Sequence, residues 1–195
     1  MRRAVLLVAI FLVTLVSPVL STAQANTGAD TLVCCDASTV DLYLIGGDNN
    51  KRLTPFAADL GEDPQSFTAE TSINSQESIG RWLLPNTWGG TVPSSTWTFS
   101  MNYEVSNAAG ARIQNATATV SIGSKTFSQE LDQGSSFLAQ GAGSLTFDID
   151  VETLTASGSS NIELELTVQA VVFSVPATDA KLEFLWGSED KDSSI

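Results

Sequence analysis

The residues most able to do chemistry in this 195-residue sequence are carboxylates, because it contains 22 Asp and Glu but no histidine. Without histidine the chain has no His-based general base, no Ser-His-Asp or Cys-His arrangement and no His-ligated metal. A hairpin turn at residues 155–160 would set Glu152 opposite Glu163. The same register would set Asp150 opposite Glu165. We interpret these carboxylates as a solvated acidic face; the alternatives are a divalent-cation site and a glycosidase pair.

Two further acidic groups are candidates for Ca²⁺, which binds clustered carboxylate and carbonyl oxygens. The first comprises Asp59, Glu62 and Asp63, and the second includes Asp190 and Asp192 near the end of the sequence. Neither group has the ligand spacing of an EF-hand loop. By analogy with exported β-sandwiches, a structural Ca²⁺ that braces acidic loops is the cofactor we consider.

Aromatic side chains indicate where a ligand could bind. Trp88 lies in a Gly- and Pro-containing loop without a strand partner in sequence, so we expect it to stack on a sugar ring or a partner surface. The alternative is that Trp88 folds back and anchors the loop on the core, because burial of a large aromatic is favourable. Tyr43, on the polar side of its strand, and Trp82 are the other candidates for ligand contact. By contrast, Trp97 and Trp186 are in phase with apolar neighbours and are expected in the core.

No motif in the sequence identifies an enzyme. There is no Gly-rich phosphate loop, CxxC pair or G-x-S-x-G elbow, and none of the many serines has an identifiable base. The net charge of −13 disfavours nucleic acid as a partner, since phosphate binding needs a basic patch. Asn115-Ala116-Thr117 is an N-glycosylation sequon, and we expect Asn115 to open a strand beside a turn, where a glycan is accessible.

The first 25 residues have the three-part layout of a secretory signal peptide. A basic start at Arg2 and Arg3 precedes an apolar run from Ala4, and a small-x-small pattern ends at Ala25. Cleavage there leaves seven basic and 22 acidic side chains, a formal charge of −15. We predict a secreted or cell-surface protein; retention of the run as an N-terminal membrane anchor is the alternative.

Residues 26–37 are expected to be an N-terminal lead-in that contains the adjacent Cys34 and Cys35. Neighbouring cysteines close a strained small ring, pair with another chain or remain as two partly buried thiols, so they cannot staple distant parts of the fold. Stability must therefore come from the packing of the core.

Alternation of apolar and polar residues is the strongest pattern, and it predicts β-strands with one buried face. It is clearest at residues 97–105, 145–151 and 162–170. We predict an all-β fold over residues 38–188, an antiparallel two-sheet β-sandwich. Jelly-roll topology is preferred to an immunoglobulin type because the Cys…Trp…Cys spacing is missing. Residues 57–79 read as a long loop or partly paired edge, and residues 189–195 as an acidic polar tail.

The strand runs at residues 96–100, 116–122, 145–151, 162–168 and 182–186 resemble the β-sandwich modules of prokaryotic cell-surface proteins. They are similar in particular to jelly-roll domains of the carbohydrate-binding-module type. The resemblance covers residues 38–188 and is one of pattern. It implies adhesion or glycan binding, in some cases with a structural Ca²⁺, and it transfers no ligand-contacting residue.

The expected function is therefore an exported, non-catalytic β-sandwich that binds a glycan or another cell-surface component. The alternative is a structural subunit of a surface layer or filament, in which edge strands pair between copies. Its partners would then be further copies of the same chain.

Overall fold

The structure is a computed structural model that describes residues 40–106, 110–131, 136–175 and 178–195. The predicted signal peptide, the lead-in and both cysteines lie outside the described residues. Within the described ranges the chain forms fourteen β-strands and one short 3-10 turn, Ala57–Asp59. The strands are β1 (Tyr43–Ile45), β2 (Arg52–Thr54), β3 (Gln65–Ala69), β4 (Ile73–Leu83), β5 (Trp88–Val92), β6 (Ser95–Val105), β7 (Ala111–Ile122), β8 (Lys125–Leu131), β9 (Gly141–Val151), β10 (Leu154–Ser160), β11 (Ile162–Val172), β12 (Ser174–Val175), β13 (Thr178–Asp179) and β14 (Leu182–Trp186).

The long strands form where the alternation is strictest. In β11 every second side chain is buried along all eleven residues, and the last seven residues of β9 follow the same rule. Successive side chains of a strand point to opposite faces, so this pattern gives each sheet one apolar face. The strands predicted at residues 97–105, 145–151 and 162–170 are confirmed.

Ten of the strands form two sheets that face each other, and the other four pair as β5 with β10 and β12 with β13. One sheet has the order β1-β2-β4-β11-β7-β8 and the other β3-β14-β6-β9. Across the core, Trp82 of β4 meets Trp186 of β14 edge to face, with ring centroids 5.3 Å apart. Eight of these strands form the core of the sandwich, in the orders β4-β11-β7-β8 and β3-β14-β6-β9. If these eight are renumbered 1 to 8 along the chain, the two orders become 2-7-4-5 and 1-8-3-6. This is the strand order of a jelly roll, so the predicted all-β, two-sheet sandwich is confirmed.

Two short strands carry the chain from one sheet to the other. β5 leads from β4 to β6, β10 leads from β9 to β11, and the two pair with each other. Their backbones approach so closely that a Cβ at Gly89 would lie 2.6 Å from the Cα of Gly158. The hairpin expected at residues 155–160 is therefore wrong, since these residues form β10 and pair with β5. The reason is non-local: β9 joins β6 rather than β11.

Residues 193–195 tie the two sheets together. The Leu42 N–H donates to the Ile195 carbonyl at 2.8 Å, next to β1, and the Ser100 N–H of β6 donates to the Ser194 carbonyl at 2.8 Å. Ser193 is fully buried, and Ile195 packs on the core. Residues 189–195 are thus only partly the polar tail that was predicted, because their last three residues pair as an extended segment.

Residues 57–79 contain more regular structure than their sequence suggests. They include the 3-10 turn, all of β3 and the start of β4, and β3 is an edge strand of its sheet. The long loop is therefore wrong for most of this stretch, and the alternative of a partly paired edge describes it better. β4 pairs with β11 through two register shifts, and its residues 74–78 are all exposed. Bulges of this kind interrupt the period of two, which hides the strand from a pattern-based reading.

Candidate functional site

Trp82 is not a ligand contact at the surface. It is 0% exposed, and its ring packs against Trp186 and lies over its own strand, where a Cβ at Gly80 would be 2.4 Å from the Trp82 Cη2. The prediction of a binding role for Trp82 is wrong because the side chain faces the other sheet. Leu84 lies two residues after Trp82, so in a strand both side chains point to the same face, and Leu84 is buried. This apolar neighbour is the signal that could have assigned Trp82 to the core.

Trp88 lies in a strand rather than in a loop. It begins β5 opposite Ser160 of β10, is partly buried, and packs against the hydrophobic core. This position matches the alternative interpretation, in which the Trp88 ring anchors its segment on the core. Part of Trp88 is still exposed, so its contact with a ligand stays a prediction. Tyr43 is half-buried in β1, where its backbone bridges to Ser194, and its role also stays a prediction.

The carboxylates of β9 and β11 do not face each other. Asp150 and Asp148 on β9 accept hydrogen bonds from the hydroxyls of Thr96 and Thr98 on β6, at 2.9 and 2.8 Å. Glu163 and Glu165 on β11 instead share one guanidinium, which is shown by distances of 3.3 Å from Arg81 Nε to Glu163 Oε1 and 3.0 Å from Arg81 Nη2 to Glu165 Oε2. The expected opposition of Glu152 with Glu163 and of Asp150 with Glu165 is wrong.

The five acidic residues predicted to hold Ca²⁺ do not come together as two sites. Across residues 40–106, 110–131, 136–175 and 178–195, no three acidic, histidine or cysteine side chains are grouped so as to hold a metal ion. Asp59 Oδ2 accepts a hydrogen bond from Thr54 Oγ1 at 2.5 Å. Glu62, Asp190 and Asp192 are exposed, whereas Asp59 and Asp63 line a common cleft.

Asn115 lies inside β7 rather than at its start. β7 runs between β11 and β8, and its register shifts between the pairs Gln169–Asn115 and Ala170–Ile113. The Asn115 side-chain amide donates to Glu130 on β8, and its Oδ1 is buried without a partner among the described residues. The expected position at the opening of a strand, beside a turn, is therefore wrong, and the nitrogen that would carry a glycan is hydrogen-bonded to the neighbouring strand.

A cleft of about 360 Å³ lies at the end of the sandwich where β14 finishes. Four glycines contribute backbone to it: Gly46, Gly47, Gly61 and Gly187. Gly46 and Gly187 have φ values of 85° and 82°, a conformation that favours glycine. The Gly61 N–H donates to the Gly187 carbonyl at 2.8 Å, and Trp186 Nε1 donates to the Gly46 carbonyl at 2.9 Å. The floor of the cleft is therefore fixed by hydrogen bonds to the core.

Polar side chains from two stretches of chain, residues 50–52 and 63–65, surround this floor. Asn50 comes from the β1–β2 turn, Arg52 begins β2, Asp63 lies in the loop before β3, and Gln65 begins β3. All four are exposed, and none of their side chains has a hydrogen bond or ion pair with another described residue. The Gln65 amide reaches across the backbone, since a Cβ at Gly47 would lie 3.0 Å from its Oε1. The cleft thus offers both donors and acceptors that no described residue occupies.

Comparison with known proteins adds no family to this geometry. No protein-family model matches the chain, and no curated protein matches it significantly. No helix within the described residues has the length and apolar character needed to cross a membrane. A fold does not by itself imply a function.

Proposed function

We propose that the protein is an exported, non-catalytic β-sandwich that binds a glycan or another cell-surface component, and that the cleft is its binding site. The observation that carries the proposal is the set of unpartnered polar side chains around a rigid glycine floor. Sugars present hydroxyls that both donate and accept hydrogen bonds, and Asn, Gln, Asp and Arg together supply both kinds of partner. The volume of the cleft also lies within the range of about 300–1,000 Å³ that is usual for ligand sites.

Three further features support this class of function. The signal-peptide layout of residues 1–25 favours export, and the acidic charge disfavours nucleic acid. The absence of histidine leaves few routes to general-base catalysis.

Assembly through edge strands has weaker support. On the β9 edge, Asp148 and Asp150 are exposed, and charged residues on an edge oppose pairing with another chain. β2 pairs with β4 only at Leu83, so the rest of that edge of β4 is open. The pairing of β4 with β11 contains two register shifts, which also discourage the addition of another strand. We therefore retain ligand binding as the proposed function.

The proposal is tested by glycan-array screening of the mature protein, followed by calorimetric titration of the bound glycans. Asp63→Ala and Gln65→Ala should each weaken binding about two- to twelvefold, because a lost hydrogen bond to a ligand is worth about 0.5–1.5 kcal/mol. Asp41→Ala is the matched control, since Asp41 is exposed and does not line the cleft.

Two outcomes would count against the cleft. Unchanged affinity in both cleft variants, with loss in Trp88→Ala, would move the site to β5. Absence of binding to any glycan or isolated surface component would overturn the proposed function itself.

A further inference from the structure

The loop between β2 and the 3-10 turn presents an aromatic ring to solvent. Phe56 is 64% exposed, more than any other large hydrophobic residue described. An isolated exposed apolar side chain is common on protein surfaces and needs no explanation by itself. Its place in the chain makes Phe56 different: Arg52, four residues before it, and Asp59, three residues after it, both line the cleft, although Phe56 itself is not a lining residue.

Hydrogen bonds hold this loop in place. The Phe56 N–H donates to Thr54 Oγ1 at 3.3 Å, and the Phe56 carbonyl accepts from the Asp59 N–H at 3.0 Å. The Thr54 hydroxyl in turn donates to the Asp59 carboxylate, and Thr54 itself is buried. One network therefore fixes the backbone on both sides of Phe56 together with a residue of the cleft, so the ring extends from an ordered support.

The charges around the cleft disfavour anionic ligands. Its lining contains Asp59 and Asp63 but only one cation, Arg52. Glu62 lies between the two aspartates in sequence and is exposed, and the chain as a whole carries −13. A uronate, a sialylated or a sulfated sugar would approach a negative potential, whereas a neutral sugar is not repelled.

From these observations we infer that the ligand is a neutral pyranose and that Phe56 is its stacking platform, an inference that rests on the proposed function. A pyranose has hydroxyls around its edge and a face of C–H groups. The hydroxyls would bond to the polar rim of the cleft while the C–H face covers the Phe56 ring. Burial of that face removes apolar area from water and adds affinity without a further hydrogen bond.

The test compares three variants in titrations with neutral oligosaccharides and with uronate-containing or sulfated ones. Phe56→Ala should weaken binding of the neutral ligand about five- to tenfold, and Phe56→Trp should retain or strengthen it. Phe137→Ala should leave it unchanged. Phe137 is the control because it is 56% exposed and does not line the cleft. The next residue, Leu138, hydrogen-bonds to Ala111 at the start of β7. Circular dichroism confirms that each variant is folded.

The outcomes separate this inference from the proposed function. If wild type binds a glycan and Asp63→Ala weakens it while Phe56→Ala does not, Phe56 is no platform and the cleft remains the site. If wild type prefers the acidic oligosaccharides, the neutral ligand class is wrong. If wild type binds no glycan, the proposed function and this inference fail together.

Discussion

Single glycines determine where the aromatic side chains of this sandwich lie. The Trp82 ring covers Gly80 on its own strand, and the Tyr103 ring covers Gly143 directly opposite on β9. In each case a Cβ on the glycine would lie 2.4 Å from the ring. The close approach of ring and backbone is thus available only because those positions lack a side chain.

Gly80→Ala should lower the free energy of unfolding by about 1–3 kcal/mol, since the added methyl must displace a fully buried tryptophan. Urea denaturation followed by tryptophan fluorescence measures this change. Gly158→Ala is the control, because a Cβ there meets no atom within 4 Å, and its effect should stay below about 0.5 kcal/mol. Equal effects of the two substitutions would show that the ring is free to move aside.

At the scale of elements, the extended segment at residues 193–195 is the hydrogen-bonded link between the sheets on one side of the sandwich. Its buried Ser193 hydroxyl donates to the Leu185 carbonyl at 2.8 Å and accepts from the Asn102 N–H at 2.9 Å. These bonds join β14 and β6 at the point where their direct pairing ends. The Ser193 hydroxyl thereby connects β14 and β6 where the backbone hydrogen bonds between these two strands end.

Ser193→Ala should cost about 1–3 kcal/mol of stability, because it leaves the Asn102 N–H without its partner in a part-buried position. Thermal unfolding monitored by circular dichroism provides the measurement. Ser194→Ala serves as the comparison, since Ser194 bonds to Ser100 through its backbone. A wild-type melting temperature for Ser193→Ala would show that water replaces the hydroxyl at no cost.

At the scale of the whole molecule, acidic charge is abundant but dispersed. Individual carboxylates bond to threonines or share Arg81, so no described acidic group is concentrated enough to hold a metal. The net charge still makes the folded state repel itself, and salt screens that repulsion.

We therefore expect the melting temperature to rise with ionic strength and to be insensitive to the identity of the cation. NaCl and CaCl₂ at equal ionic strength should give melting temperatures within about 2 °C of each other, a difference of at most about 1 kcal/mol. Differential scanning calorimetry makes the comparison. A larger rise with CaCl₂ would indicate a calcium site, and its loss in an Asp59→Asn, Asp63→Asn double variant would locate that site in the cleft.

The sandwich was predictable because the alternation of apolar and polar residues in its long strands shows which side chains are buried. A period of two in β9 and β11 depends only on neighbouring residues, so it can be read without knowing the partner strand. The partner itself was not predictable: the expectation that β9 pairs with β11 follows from their closeness in sequence, and the fold pairs each with a distant strand.

The candidate site shows the same division. Asp59 and Asp63 were singled out for their carboxylates, and both do line the cleft. Arg52, Gln65 and Gly187 join them through the pairing of β2 with β4 and of β3 with β14, which no local pattern reveals. The predicted surface position of Trp82 was wrong for a related reason, because the packing of the two sheets determines which face of β4 is covered.

The jelly-roll order has a consequence for how quickly the chain folds. One sheet joins distant parts of the chain: Thr68 of β3 hydrogen-bonds to Glu183 of β14, 115 positions further along. Topologies with such distant contacts fold in milliseconds to seconds, far more slowly than helical bundles. The sheet β3-β14-β6-β9 cannot close until β14 has been synthesised, so we expect refolding from denaturant to be correspondingly slow.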